Sequence, residues 1–195
     1  RVLSRESNEI EYFNKDRCEF NYRSSIFKSK EKNKYVVLSI RLKLSKEPHS
    51  FNLTYDSLKE RFNSKEINLF NISEEIIKIR KSKLPDPKKI GNCGSFFKNP
   101  IIESKKLEKL LQKYPKLPYH KSENGFYKIP AAWLIEKIGF KNKSLGDVGV
   151  YTHQPLVIVN NGNASGSDIL KFANSIKSSV REVFNIKLEE EVNII

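Results

Sequence analysis

Three features of the chain predict an α+β fold. Tyr35 to Leu44, YVVLSIRLKL, alternates Leu38, Ile40, Leu42 and Leu44 with Ser39, Arg41 and Lys43, the period-2 pattern of a half-buried strand. Ser104 to Tyr114 sets Leu107, Leu110, Leu111 and Tyr114 on one helical face. Ser167 to Phe184 repeats Ile169, Phe172, Ala173, Ile176, Val180 and Val183 at helical spacing. With 195 residues, 38% hydrophobic and 30% charged, the chain is long enough for one or two modest domains and needs no disulfide or metal staple.

The remaining elements follow in order. Thr54 to Asn63 reads as a short helix, and Ile72 to Lys83 as a longer one with Ser73 as cap and Glu74 and Glu75 in its first turn. Pro85 and Pro87 stop it, and LPDPKK followed by GNCGS marks the domain boundary. After the Ser104 helix, Pro115 and Pro118 open a loop rich in Lys, Ser, Asn and Gly. Pro130 to Ile138 is a helix opened by proline and closed by Gly139. Leu156 to Asn161, LVIVNN, is a short buried strand. Ser167 and Asp168 cap the last helix, and Ile186 to Ile195 returns to strand-like alternation.

Composition narrows the function classes. No apolar run approaches the roughly 20 residues that cross a bilayer and no secretory signal is legible, so a soluble, cytoplasmic, monomeric protein without a membrane partner is expected. Cys18 and Cys93 lie far apart without CxxC spacing, and His49, His120 and His153 stand alone, so neither disulfide nor metal site is expected. The charge, 36 − 23 = +13, first suggests nucleic acid. The lysines are scattered among many Asn and Ile, however, and no RNA or DNA motif accompanies them, so compositional drift is the preferred reading. The chain has no methionine and starts at Arg1, which reads as a fragment or processed piece.

No Walker A loop, GxGxxG, HExxH or GxSxG occurs. One dense segment remains, Lys88 to Pro100, KKIGNCGSFFKNP, in which Gly91 and Gly94 flank Ser95 with conformational freedom. From composition alone it is either a tight turn whose Phe96 and Phe97 plug the core or a turn presenting a functional serine. As a nucleophile Ser95 lacks a nearby histidine, whereas a neutral hydroxyl can protonate a strongly basic carbanion.

GNCGSFFKNP resembles the GNAGSFFKNP signature of the UDP-N-acetylenolpyruvoylglucosamine reductases, also called UDP-N-acetylmuramate dehydrogenases. FNYRSSIFK, Phe20 to Lys28, resembles the family's YRxSxF element, and LEEEV, Leu188 to Val192, its LEPEV. PAAWLIEKIGFKN and HQPLVIVN stand between them in the family's order, so the resemblance spans essentially the whole chain. It implies the C-terminal part of a flavin-binding α+β region (1–85), a separate α+β substrate-binding domain (86–187) and a return strand to the flavin side (188–195).

The implied activity is FAD-dependent, NADPH-driven reduction of the enolpyruvyl ether of UDP-N-acetylglucosamine enolpyruvate, a step of peptidoglycan precursor synthesis. The resemblance makes Arg23, Ser95 and Glu191 catalytic: Arg23 and Glu191 flank the substrate carboxylate, and Ser95 protonates the adjacent carbon. Tyr22, Lys83, Asn99 and Gln154 become substrate contacts. Leu42 to Leu58 resembles the class with an extra tyrosine loop, setting Tyr55 against the diphosphate; from sequence Tyr55 reads equally as an aromatic packed under the following helix.

Two positions depart from the family pattern. Cys93 replaces the alanine before GSFF, a small substitution of a type usually buried, and Glu190 replaces the proline of LEPEV. No glycine-rich GGGSN loop occurs, so the piece alone is expected to bind FAD weakly or not at all. A catalytically incomplete remnant and a basic nucleic-acid module are the rival readings.

Overall fold

A computed structural model describes residues 1–54, 58–62 and 66–195. The chain divides into two compact units, Arg1–Asn52 and Leu53–Ile195.

In the first unit β1 (Val2–Ser4) lies between β2 (Ile10–Glu11) and β3 (Tyr35–Val37) in an antiparallel sheet. Asn14 caps the one-turn helix α1 (Lys15–Cys18), its Oδ1 accepting from the Arg17 amide at 2.8 Å. Val2, Cys18 and Ile26 are buried, and the rings of Phe13, Phe27 and Tyr35 cluster at 5.0–6.4 Å between centroids, Phe13 stacking on Phe27 and Tyr35 meeting both edge to face. The strand expected over Tyr35–Leu44 ends at Val37. Its partner β1 pairs Val2 with Val37; past that pair the Arg1 carbonyl accepts from Leu38 and Ser39, and the Arg1 amino group donates to the Ser39 carbonyl at 3.0 Å. Leu38, Ile40, Leu42 and Leu44 stand exposed.

The second unit opens with a 3-10 turn at Leu58–Phe62, where a longer helix over Thr54–Asn63 was expected; 55–57 and 63–65 lie outside the described residues. Then comes α2 (Leu69–Lys83). Its cap is Asn68, whose side chain accepts from the Asn71 amide, so Ser73 sits inside the helix instead of starting it. Leu58, Phe62 and Ile79 bury against one another beneath it.

A four-stranded antiparallel sheet runs β4 (Gly91–Ser95), β10 (Val157–Asn160), β9 (Val148–Val150), β8 (Ser144–Leu145). A second sheet orders β5 (Ile101–Glu103), β7 (Phe126–Lys128) and β6 (His120–Lys121). The β6–β7 hairpin occupies what the sequence presents as loop, turning through Asn124 and Gly125, both at positive φ.

Helices α3 (Ser104–Lys113) and α4 (Ala131–Lys137) form as their periodicity predicts. The longest helix, α5 (Gly166–Phe184), starts at Ser165 and not Ser167: Ser165 and Asp168 form a reciprocal capping box. It lays Phe172, Ala173, Ile176, Val180 and Phe184 onto Val148, Val150 and Ile158 of the sheet, with Leu134 and Ile135 of α4 and Leu107 and Leu110 of α3 completing the core. Ile186 and Leu188 enter the same core. The tail makes no regular strand, only the bridge Glu190 to Phe97. Burying Ile186 and Leu188 contributes about 3–6 kcal/mol against about 2 kcal/mol for the two tail backbone hydrogen bonds to Phe96 and Lys98, so apolar burial holds the tail more firmly than pairing does.

Candidate active site

GNCGS is an edge strand with a fault built into it. Val157 pairs with Ser95 and Val159 with Asn92, which leaves Cys93 and Gly94 opposite the single residue Ile158. Gly94 takes φ +72, and no atom lies within 4 Å of where its Cβ would stand, so the backbone conformation and not crowding demands glycine. Asn92 braces the turn, its Nδ2 donating to the Ile90 carbonyl and its Oδ1 accepting from the Gly94 amide at 3.0 Å. The bulge sets the direction of Ser95. Ser95 is half-buried, and its hydroxyl makes no hydrogen bond among the described residues.

Directly after Ser95 the strand changes partner. The Phe96 amide donates to the Leu156 carbonyl at 2.8 Å, while the Phe96 carbonyl accepts from the Glu191 amide at 2.8 Å. The Lys98 amide donates to the Glu189 carbonyl at 2.9 Å. Phe96 and Phe97 are buried and pack edge to face at 5.1 Å, anchoring the serine segment from below. Ser95 and Glu191 are thus held on neighbouring, hydrogen-bonded backbones.

The other candidates are placed as follows. Gln154 lies in the turn entering β10; its backbone carbonyl accepts from Val157, and Val157 pairs with Ser95. Asn99 Oδ1 accepts from the Ala131 amide at 2.9 Å and so holds the start of α4. Lys83 is the last residue of α2 and half-buried. In the first unit Tyr22 and Arg23 form the tip of a tight turn closed by reciprocal Asn21–Ser24 backbone bonds of 3.0 and 3.1 Å. Arg23 takes φ +52, the left-handed region that a side chain normally avoids, and its guanidinium lies 5.8 Å from the Tyr22 ring centre. Tyr55 lies outside the described residues. Cys93 is exposed, contrary to its buried-type expectation, and both cysteines are free thiols.

A model of the UDP-N-acetylenolpyruvoylglucosamine reductase C-terminal domain matches residues 86–195. The chain belongs to the UDP-N-acetylenolpyruvoylglucosamine reductase family. A reductase of that name from Amoebophilus asiaticus is 49% identical over 189 residues, covering 95% of this chain and 56% of the relative. Those from Flavobacterium johnsoniae and Buchnera aphidicola subsp. Schizaphis graminum are 44% and 46% identical, covering all of this chain and 58% and 56% of the relatives. The chain therefore spans just over half the length of these family members.

Among the described residues of the second unit, two of the surface cavities measure about 290 Å³ each. One lies between the β8–β9 hairpin and the start of α5, where Asp147 and Asp168 disfavour a phosphate; the other is lined by Lys89, Gly91 and Asn160 to Gly162. Neither is lined by a site residue named above. Among the described residues no group of three or more His, Cys, Asp or Glu is placed to hold a metal ion, and no helix is long and apolar enough to cross a membrane.

Sequence reasoning missed the lysines beside the tail. Lys177 Nζ lies 2.5 Å from Glu190 Oε1, and Lys98 Nζ 3.2 Å from Glu189 Oε2. Lys177 is 13 residues from Glu190 and on a different element, and no local pattern joins them.

Proposed function

We propose that this chain supplies the substrate-facing residues of a reductase acting on UDP-N-acetylglucosamine enolpyruvate and forming UDP-N-acetylmuramate for the cell wall. The observation that carries the reading is the shared pairing of Ser95 and Glu191: a bulge aims the hydroxyl, and the adjacent carbonyl pins the glutamate. FAD reduced by NADPH is the hydride source that family membership suggests, and no step on it is assigned to these residues.

Hydride addition to the methylene carbon leaves negative charge on the neighbouring carbon and its carboxylate. Arg23 and a hydrogen-bonding carboxyl at Glu191 stabilise that charge, and Ser95 Oγ–H delivers the proton that quenches it. Tyr22, Tyr55, Lys83, Asn99 and Gln154 contact the nucleotide sugar, lysine and amides being suited to diphosphate and sugar oxygens. We place the domain division at 85/86, supported by where the family match begins, with 188–195 running from the substrate domain's core toward the flavin-binding region. The enzyme so read is a cytoplasmic monomer acting on a small nucleotide sugar, without a nucleic-acid or membrane partner.

The test is NADPH oxidation by the longest product of the gene, with and without UDP-N-acetylglucosamine enolpyruvate. Substrate-dependent consumption is expected, and Ser95→Ala should lower product formation about 100- to 1,000-fold. A colourless protein that oxidises no NADPH would overturn the reading in favour of a catalytically incomplete remnant.

A further inference from the structure

The hydrogen bonds from Lys98 to Glu189 and from Glu191 to Phe96 flank the Phe97–Glu190 bridge, so the Glu190 N–H takes no part in that ladder. Its side chain turns to α5, where Oε1 meets Lys177 Nζ at 2.5 Å; the two side chains are only 22% and 27% exposed. Lys177 follows Ile176, which is fully buried, on a helix capped at its start by Ser165 and closed by Asn185. Burial alone would raise the Glu190 carboxyl. The Lys177 hydrogen bond, a bond from its own amide and the nearby Lys177 and Lys187 charges outweigh burial and hold it below the usual carboxylate range. The neighbouring Lys98–Glu189 pair has its carboxylate 65% exposed, and such pairs contribute little.

We propose that Lys177 is a positioning residue for Glu191: through Glu190 it ties the tail to α5 and so fixes where the next side chain sits. The inference rests on the reading of Glu191 given above. Beyond Leu188 the tail has no regular strand, and residue 190 governs the direction of residue 191. A proline there, as in the related LEPEV motif, would restrain the backbone through its ring. Glu190 leaves that torsion free, and the ion pair supplies the restraint instead.

In the longest product of the gene, Lys177→Met should lower kcat roughly 10- to 100-fold with little change in KM, as expected for a group displaced by about an ångström. Lys177→Arg should recover most of the loss. Adding Glu190→Pro to Lys177→Met should also recover it, because the ring replaces the ion pair and no ladder hydrogen bond is removed; recovery also shows that the variant folds. In the 195-residue chain, amide hydrogen exchange at Glu191 and Lys98 should quicken in Lys177→Met and slow again in the double variant. Glu191→Gln is measured alongside. If it cuts kcat about 100-fold while Lys177→Met changes neither kcat nor exchange, the positioning role is wrong and the functional reading stands. If Glu191→Gln leaves kcat unchanged, the reading of Glu191 falls and takes the proposal with it.

Discussion

The Glu191 amide donates to the Phe96 carbonyl at 2.8 Å, so the glutamate from the end of the chain is registered one residue beyond Ser95. The contact joins residues 95 positions apart in sequence, and it depends on the backbone path through the bulge before Ser95. Four expectations follow from how this site and the Arg23 turn are built.

Gly94→Ala tests the bulge. A Cβ there meets no atom within 4 Å, so the cost is the φ of +72 alone, about 1–2 kcal/mol of unfolding free energy by denaturant titration. Product formation should fall as well, because relaxation of that torsion re-aims Ser95. A stable variant with full activity would show that the left-handed conformation is dispensable.

Arg23 holds φ +52 at the tip of its turn, so the side chain is kept where glycine would be easier. Arg23→Gly and Arg23→Ala both remove the guanidinium and should each lower product formation about 100- to 1,000-fold. They should differ in stability, with the glycine variant about 1 kcal/mol more stable in thermal or denaturant unfolding. Equal stabilities would mean that the turn relaxes at no cost.

Asn99 has two duties that substitution can separate. Asn99→Ala removes the acceptor of the Ala131 amide and should cost about 1 kcal/mol of stability together with activity. Asn99→Asp keeps an acceptor at the start of α4 and should remain stable, while loss of the amide donor raises KM for the nucleotide sugar at least about tenfold. An unchanged KM in Asn99→Asp would confine the residue to capping.

The carboxyls of Glu190 and Asp168 are both held low, Glu190 by Lys177 against its own burial and Asp168 by hydrogen bonds from Ser165. A lowered folded-state value stabilises the fold above the ordinary value, 4.5 for Glu190 and 3.8 for Asp168, and that stability is lost as pH falls through the folded value. Denaturant midpoints should therefore be flat with respect to these groups from pH 7 to about 5 and decline in more acid solution. The gap between wild type and Lys177→Met should narrow over the same acid range. A gap that widens on acidification would contradict the assigned sign.

How much was legible beforehand depended on the range of the forces involved. Helices α3 and α5 were readable because their apolar residues repeat within the helix itself, and the family because its motifs, among them GNCGSFFKNP, are short and contiguous. The cap of α5 was misplaced by two residues, since Ser165 and Ser167 are the same residue type and only the reciprocal bond with Asp168 separates them. Asn124-Gly125 carried a hairpin signal within polar surroundings that read as loop. Tyr35 to Leu44 has the alternation of a full strand, but strand pairing with β1 covers only Tyr35 to Val37, and pairing between strands is not written in either segment alone. The Lys177–Glu190 pair had no local signature at all.

Because successive strand residues face opposite ways, three steps from Asn92 to Ser95 would put the two on opposite faces of a regular strand, yet here they stand opposite Val159 and Val157, which share a face. The bulge at Cys93–Gly94 absorbs the odd step. A chain shortened by either residue would keep both pairings and run as a plain ladder, without the left-handed torsion at Gly94 and the bend that goes with it. What the extra residue adds is curvature just before the serine, at the cost of one unpaired position.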